Sequence, residues 1–154
     1  MNEFIPQKDY NFIKFTKEQK DIVKRIKDYS DRNCRKIINK RYITSCLTNF
    51  DYGFAYFRTE ILKVDNSIKN RPCAFACIRK EYDGILFLQI ICAIQNMDKL
   101  GTRLLNDIFE FAIKNNYIQI ILESNQQNKS FYEKYNFKES GMTDENLYIM
   151  AKFF

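Results

Sequence analysis

Two stretches of this chain bring together residue types that could hold a phosphorylated ligand and deliver a proton. The first runs from Leu88 to Leu105, Leu-Gln-Ile-Ile-Cys-Ala-Ile-Gln-Asn-Met-Asp-Lys-Leu-Gly-Thr-Arg-Leu-Leu. An apolar strand leads into a polar loop and then into helical periodicity. The first amides of a helix have no intrahelical partner and carry partial positive charge, so such a junction is an anion site suited to a pyrophosphate. Gly101 lets backbone approach a ligand with no Cβ in the way. Lys99 and Arg103 add charge, and Thr102 a hydroxyl. The same residues also read as an ordinary strand–helix connection in which Gly101 eases packing.

The second stretch is Asn125–Phe137, Asn-Gln-Gln-Asn-Lys-Ser-Phe-Tyr-Glu-Lys-Tyr-Asn-Phe. It contains a short helix that ends at Asn136, a residue that accepts a left-handed turn. Phe131 and Phe137 can anchor that helix in a core. Tyr132 then falls on a different face, either packed at the surface or looking into a cleft.

The composition excludes several chemistries. The chain has no histidine, which removes Ser-His and Cys-His nucleophiles and any imidazole base. The five cysteines, Cys34, Cys46, Cys73, Cys77 and Cys92, are odd in number and lack a framework spacing. They read as reduced, buried thiols of a soluble, intracellular (cytoplasmic) protein. Cys73 and Cys77, placed on a strand, would lie about 13 Å apart along it, too far for one zinc ion, so no metal is expected. The net charge of +6 is concentrated in residues 14–41, where eleven Lys and Arg face four acids. That reads as a solvated helix surface or as a face for an anionic partner. No nucleic-acid motif accompanies it, and nucleic acid is not the expected partner.

The elements that must position these residues follow from hydrophobic period. The 154 residues fit one domain, 1–154. The apolar run Ile85–Ile94 is about half the length of a membrane span, and no membrane association is expected. A short strand is predicted over residues 11–15, after which Thr16 and Gln19 fit a capping box ahead of a helix over residues 17–30. A second helix is predicted over residues 32–47, after which Asn49–Tyr56 is aromatic and irregular. Strands are predicted over residues 59–64, 73–79, 85–93 and 117–122, the last two apolar enough for burial on both faces. A helix over residues 100–114 joins those two strands, and strands near residues 137–139 and 147–153 close the chain. The order is β-α-α-β-β-β-α-β-α-β-β: an α/β (α+β) fold with a mixed, mostly antiparallel sheet flanked by helices.

Together the two stretches resemble the GNAT superfamily of acyl-CoA N-acyltransferases. The first motif of that family runs Arg/Gln-x-x-Gly-x-Gly/Ala after the fourth strand. Here Gly101 aligns with its last glycine, Lys99 stands at the first, and Asn96 at the Arg/Gln position. The later motif, Asn, five residues, then Phe-Tyr-x-Lys-x-Gly-Phe, is matched by Asn125 and by Phe131-Tyr132-Glu133-Lys134-Tyr135-Asn136-Phe137, with Asn136 in place of glycine. The resemblance covers residues 59–154, and the first 58 only in element order.

The resemblance implies acetyl-CoA as co-substrate, seated where the fourth and fifth strands splay, and an amine-bearing acceptor that attacks the thioester directly. Backbone at Ile91, Cys92 and Ala93 would hold the pantetheine arm, and Lys99, Leu100, Gly101, Thr102 and Arg103 the pyrophosphate. Asn125 and Phe131 would complete the cofactor side. Tyr132 would protonate the leaving thiolate. Gln89 stands where many relatives carry a glutamate base and could orient a water, with Glu123 as a substitute base. A cofactor-binding protein with weak or lost catalysis, and a basic binding module, are the competing readings. The C-terminal strand, residues 147–154, offers an edge for a homodimer.

Overall fold

The computed structural model describes residues 4–34, 39–62, 64–65, 68–93 and 99–154. They form β1 (Phe4–Phe15), α1 (Lys20–Asn33), α2 (Lys40–Thr48), β2 (Tyr52–Leu62), β3 (Ile68–Lys80), β4 (Ile85–Ala93), α3 (Leu100–Lys114), β5 (Gln119–Ser124), α4 (Gln126–Glu133), β6 (Lys138–Met142) and β7 (Tyr148–Phe153). The seven strands make one sheet in the order β1-β2-β3-β4-β5-β7-β6. Only the β4–β5 pair is parallel, joined through α3. The fold class and the element order are those expected from the sequence.

Helices cover both faces of the sheet, so there are two cores. On one face α3 buries Leu100, Leu104, Leu105, Ile108 and Ala112 against Phe54, Ala76, Ile78, Leu86, Leu88 and Leu122. On the other face α1 and α2 bury Ile26, Tyr29, Ile43, Cys46 and Leu47 against Ala55, Phe57, Phe75, Cys77 and Ile90. No helix among the described residues is long and apolar enough to cross a membrane.

Several boundaries differ from expectation. The helix expected over residues 17–30 begins at Lys20. Gln19 does reach back, its side-chain oxygen accepting from the Thr16 backbone N–H at 2.8 Å, but Gln19 N–H also donates to Thr16 O at 3.1 Å. That closes a separate turn ahead of the helix. The pattern expected over residues 32–47 is divided. Asn39 takes an extended conformation and its side chain accepts from Arg41 N–H at 2.7 Å, capping a new helix rather than continuing the old one. The stretch Asn49–Tyr56 is not irregular from Tyr52 onward. It opens β2, whose Phe54 and Tyr56 enter one core while Ala55 and Phe57 enter the other. With both faces covered, the polar–apolar alternation that marks a strand is lost.

The β7 strand lies between β5 and β6. Both of its edges are taken, so the C-terminal strand cannot offer the pairing edge expected for a homodimer. The Gln95–Asp98 part of the predicted loop, with Asn96, lies outside the described residues.

Gly53 shows how tightly the second core is filled. A Cβ there would sit 2.6 Å from the Phe15 ring, and Phe15 is fully buried against Phe50. Gly53→Ala should therefore destabilise the fold by about 1–3 kcal/mol through overpacking, read as a lower midpoint in urea with an unchanged slope.

Candidate functional site

β4 and β5 pair from Ile85 with Gln119 to Leu88 with Leu122, and no further. β5 then continues to Ser124 against β7, while β4 runs on to Ala93 against β3 alone. The two strands part after Leu88. Among the described residues, no strand lies beside one backbone edge of Gln89–Ala93, which faces a gap.

A bulge helps set this divergence. Ile78 pairs with Leu88 and Cys77 with Ile90, so Gln89 is the extra residue on β4. A bulge bends a strand and changes which face later side chains occupy. Leu86 and Leu88 accordingly pack with α3, whereas Ile90 and Cys92 pack with α1 and α2. The carbonyl of Gln89 accepts from the Tyr42 hydroxyl. The Gln89 side chain donates to Asn49 O at 3.0 Å. Its Oε1 is buried and has no hydrogen-bond partner.

The gap opens into a cavity of about 1260 Å³ whose walls include Gln89, Ile91, Cys92, Ala93, Lys99, Leu100, Gly101, Thr102, Glu123, Asn125, Phe131 and Tyr132. The structure thus brings together all but one of the sequence-predicted site residues. The exception is Arg103. Its guanidinium lies over the rings of Tyr10 and Tyr56, 5.5 and 5.0 Å from their centroids, and it does not line the cavity. One helical step beyond Thr102 points a side chain along a different face, and the stacked tyrosines hold it there.

The start of α3 forms one wall. Lys99 caps it in the left-handed region, at φ 53° and ψ 42°, a conformation that favours glycine. This is the position at which the resembling motif carries its first glycine. Among the described residues a Cβ at Gly101 would meet only the Ala93 Cβ, at 3.8 Å, and Gly101 lines the cavity. The Thr102 hydroxyl accepts from Tyr135 at 2.7 Å.

The start of α4 forms the facing wall. Asn125 caps the helix, its side chain accepting from Asn128 N–H at 2.9 Å. Asn125→Ala should cost about 1 kcal/mol of stability through loss of that cap, read as a fall in thermal midpoint. Tyr132 packs edge-on against Phe131 and Phe137, with centroids 5.2 and 5.7 Å away. Burial alone pushes its hydroxyl up to about 12, so it keeps its proton at any physiological pH. Glu123 is exposed at the cavity rim.

Sequence reasoning missed the remaining wall. Cys34, Asn39, Arg41 and Tyr42 from the α1–α2 region also line the cavity. Tyr42 sits at helical spacing from apolar neighbours and so reads as core. Only the tertiary structure places its hydroxyl on the bulge. Burial is the main cause that raises this hydroxyl well above the ordinary tyrosine value. The expectation of five reduced thiols is corrected at two positions. Cys34 and Cys92 form a disulfide, and Cys46, Cys73 and Cys77 are buried outside it. The bulge at Gln89 turns Cys92 toward the end of α1, where Cys34 lies, and no sequence spacing announces that.

No family model and no curated protein sequence matches the chain. Solved structures do. The paiA N-acetyltransferase of Thermoplasma acidophilum, determined in complex with coenzyme A, aligns over 95% of this chain and 99% of its own, with a TM-score of 0.63 and 18% identity. The aminoglycoside 6'-N-acetyltransferase of Enterococcus faecium aligns over 93% and 96%, with a TM-score of 0.68 and 14% identity. A Desulfovibrio desulfuricans protein assigned to the GNAT family aligns over 94% and 99%, with a TM-score of 0.63 and 14% identity. The chain has the GNAT fold.

In this GNAT-fold chain the departures from the motif pattern are of two kinds. Lys99 retains the left-handed geometry of the glycine it replaces, and Asn136 does the same at φ 68°. Gln89, by contrast, is neutral where the resemblance implies a glutamate, and that bears on chemistry rather than shape.

Proposed function

We propose that this GNAT-fold chain is an N-acetyltransferase, carried by a single domain over residues 1–154, that moves an acetyl group from acetyl-CoA to a primary amine by direct attack in a ternary complex. The observation that carries the reading is that one cavity contains an unpaired strand edge, an open helix start and a protonated tyrosine. Acetyl-CoA supplies the thioester that the amine attacks. The donor set suits it. The Gln89–Ala93 edge can take an amide-bearing arm as an added strand, and a backbone amide near Cys92 can polarise the thioester carbonyl. The α3 amides, with the charge of Lys99, can take a pyrophosphate.

Tyr132 holds a proton to give to the departing sulfur, a contribution of about 10²–10⁴ in rate for a well-placed acid. Gln89 is neutral, so its amide lines the cavity and can orient a water but cannot take the proton. Glu123 at the rim is the carboxylate available to carry the proton away. Holding amine and thioester together supplies much of the remaining acceleration, so neither histidine nor a protein nucleophile is needed. The acceptor is a small-molecule or protein amine.

One observation favours a second reading, a cofactor-binding protein with weak catalysis: Gln89 cannot act as a base. Calorimetry with acetyl-CoA, followed by amine-dependent release of coenzyme A across a broad amine panel, tests both. Micromolar binding with turnover supports the transferase. Binding without turnover selects the second reading, and absence of binding rejects both.

A further inference from the structure

The disulfide between Cys34 and Cys92 lies in the wall of the cavity just described, and both cysteines line it. Cys92 retains 8% of its surface exposed and Cys34 none. Cys92 is also on the strand edge proposed to hold the arm whose end is a thiol once the acetyl group has left. A thiol bound in this cavity is therefore held near the S–S bond, of which Cys92 is the more exposed residue.

We propose that Cys92 is a thiol-exchange site for free coenzyme A, an inference that rests on the cofactor site proposed above. The cofactor thiolate attacks the Cys92 sulfur. The bond between Cys34 and Cys92 breaks, a bond between Cys92 and the cofactor sulfur forms, and the electron pair of the old bond leaves on Cys34. That sulfur takes up the proton the cofactor thiol gave. One disulfide replaces another, so no oxidant or reductant is consumed. The exchange releases the end of α1 from β4 and leaves the cavity plugged by a covalently held ligand. The chain then stops binding acetyl-CoA when free coenzyme A accumulates, until a reductant frees it.

The test uses the full chain purified without reductant. Under denaturation it should show three titratable thiols, those of Cys46, Cys73 and Cys77; five would overturn the proposal. Incubation with coenzyme A should add the mass of one cofactor, mapped to Cys92 and removed by dithiothreitol. Because binding makes the attack effectively intramolecular, glutathione at the same concentration should react about ten-fold more slowly or less. Acetyl-CoA, which has no free thiol, should give no adduct and should slow the reaction of coenzyme A. Cys34→Ser should give no adduct with coenzyme A but should still form one with coenzyme A disulfide. An adduct on another cysteine, equal rates with glutathione, or no adduct in a protein that binds acetyl-CoA calorimetrically would each overturn it. The calorimetry separates that last result from failure of the cofactor site itself.

Discussion

Gly101→Glu should abolish measurable acetyl-CoA binding. Gly101 lines the cavity at the start of the helix, and among the described residues a Cβ there would meet only Ala93. A glutamate there fills that space. Its carboxylate also takes the amides for itself, because a helix N-terminus stabilises a local negative charge as readily as a bound one. A pyrophosphate then faces a competitor and a like charge. The expected loss is about 100-fold or more in Kd, or about 2.7 kcal/mol. The fold should not suffer. Glutamate is the better helix former by up to about 1 kcal/mol, and an acid in the first turn is favourable. Calorimetry reads the loss, and an unchanged thermal midpoint shows that it is local. Gly101→Ala, which adds one methyl in ordinary contact with Ala93, should fall between the two. Retained micromolar binding in the glutamate variant would move the anion site away from α3.

Tyr132→Phe should lower kcat by about 10²-fold and leave acetyl-CoA affinity within a few-fold of wild type. The ring packs against Phe131 and Phe137, and phenylalanine keeps those contacts, so only the proton is removed. A general acid must carry its proton to act. Burial has moved this hydroxyl up to about 12, so the active form persists far into the alkaline range. No descending limb in kcat should come from Tyr132 below its raised value. Initial rates over a pH series, in wild type and variant, check both statements. A variant with full kcat would show that the leaving sulfur takes its proton from water.

Much of this site is legible in the sequence because local signals carry it. The apolar run Ile85–Ala93 and the periodicity of Leu100–Lys114 mark a β4–α3 junction that the structure reproduces at those residues. Asn136 ends α4 in the left-handed conformation that its residue type favours. These features depend on backbone propensity and on periods of two and 3.6 residues, which act over a few neighbours. What is not legible depends on partners far away in the chain. The aromatic stretch after Asn49 becomes a strand because helices cover both faces of the sheet. Arg103 leaves the cavity for tyrosines on β1 and β2.

By itself, then, the sequence determined the element order, the start of α3 and the short helix that carries Tyr132, because each is written in consecutive residues. Only the tertiary structure decided where β4 and β5 separate, which face Cys92 occupies, and that Cys34 and Tyr42 close the cavity. Those outcomes rest on a one-residue bulge at Gln89 and on contacts 47 to 58 residues apart. A bulge is a mismatch between two strands, and neither strand alone contains it.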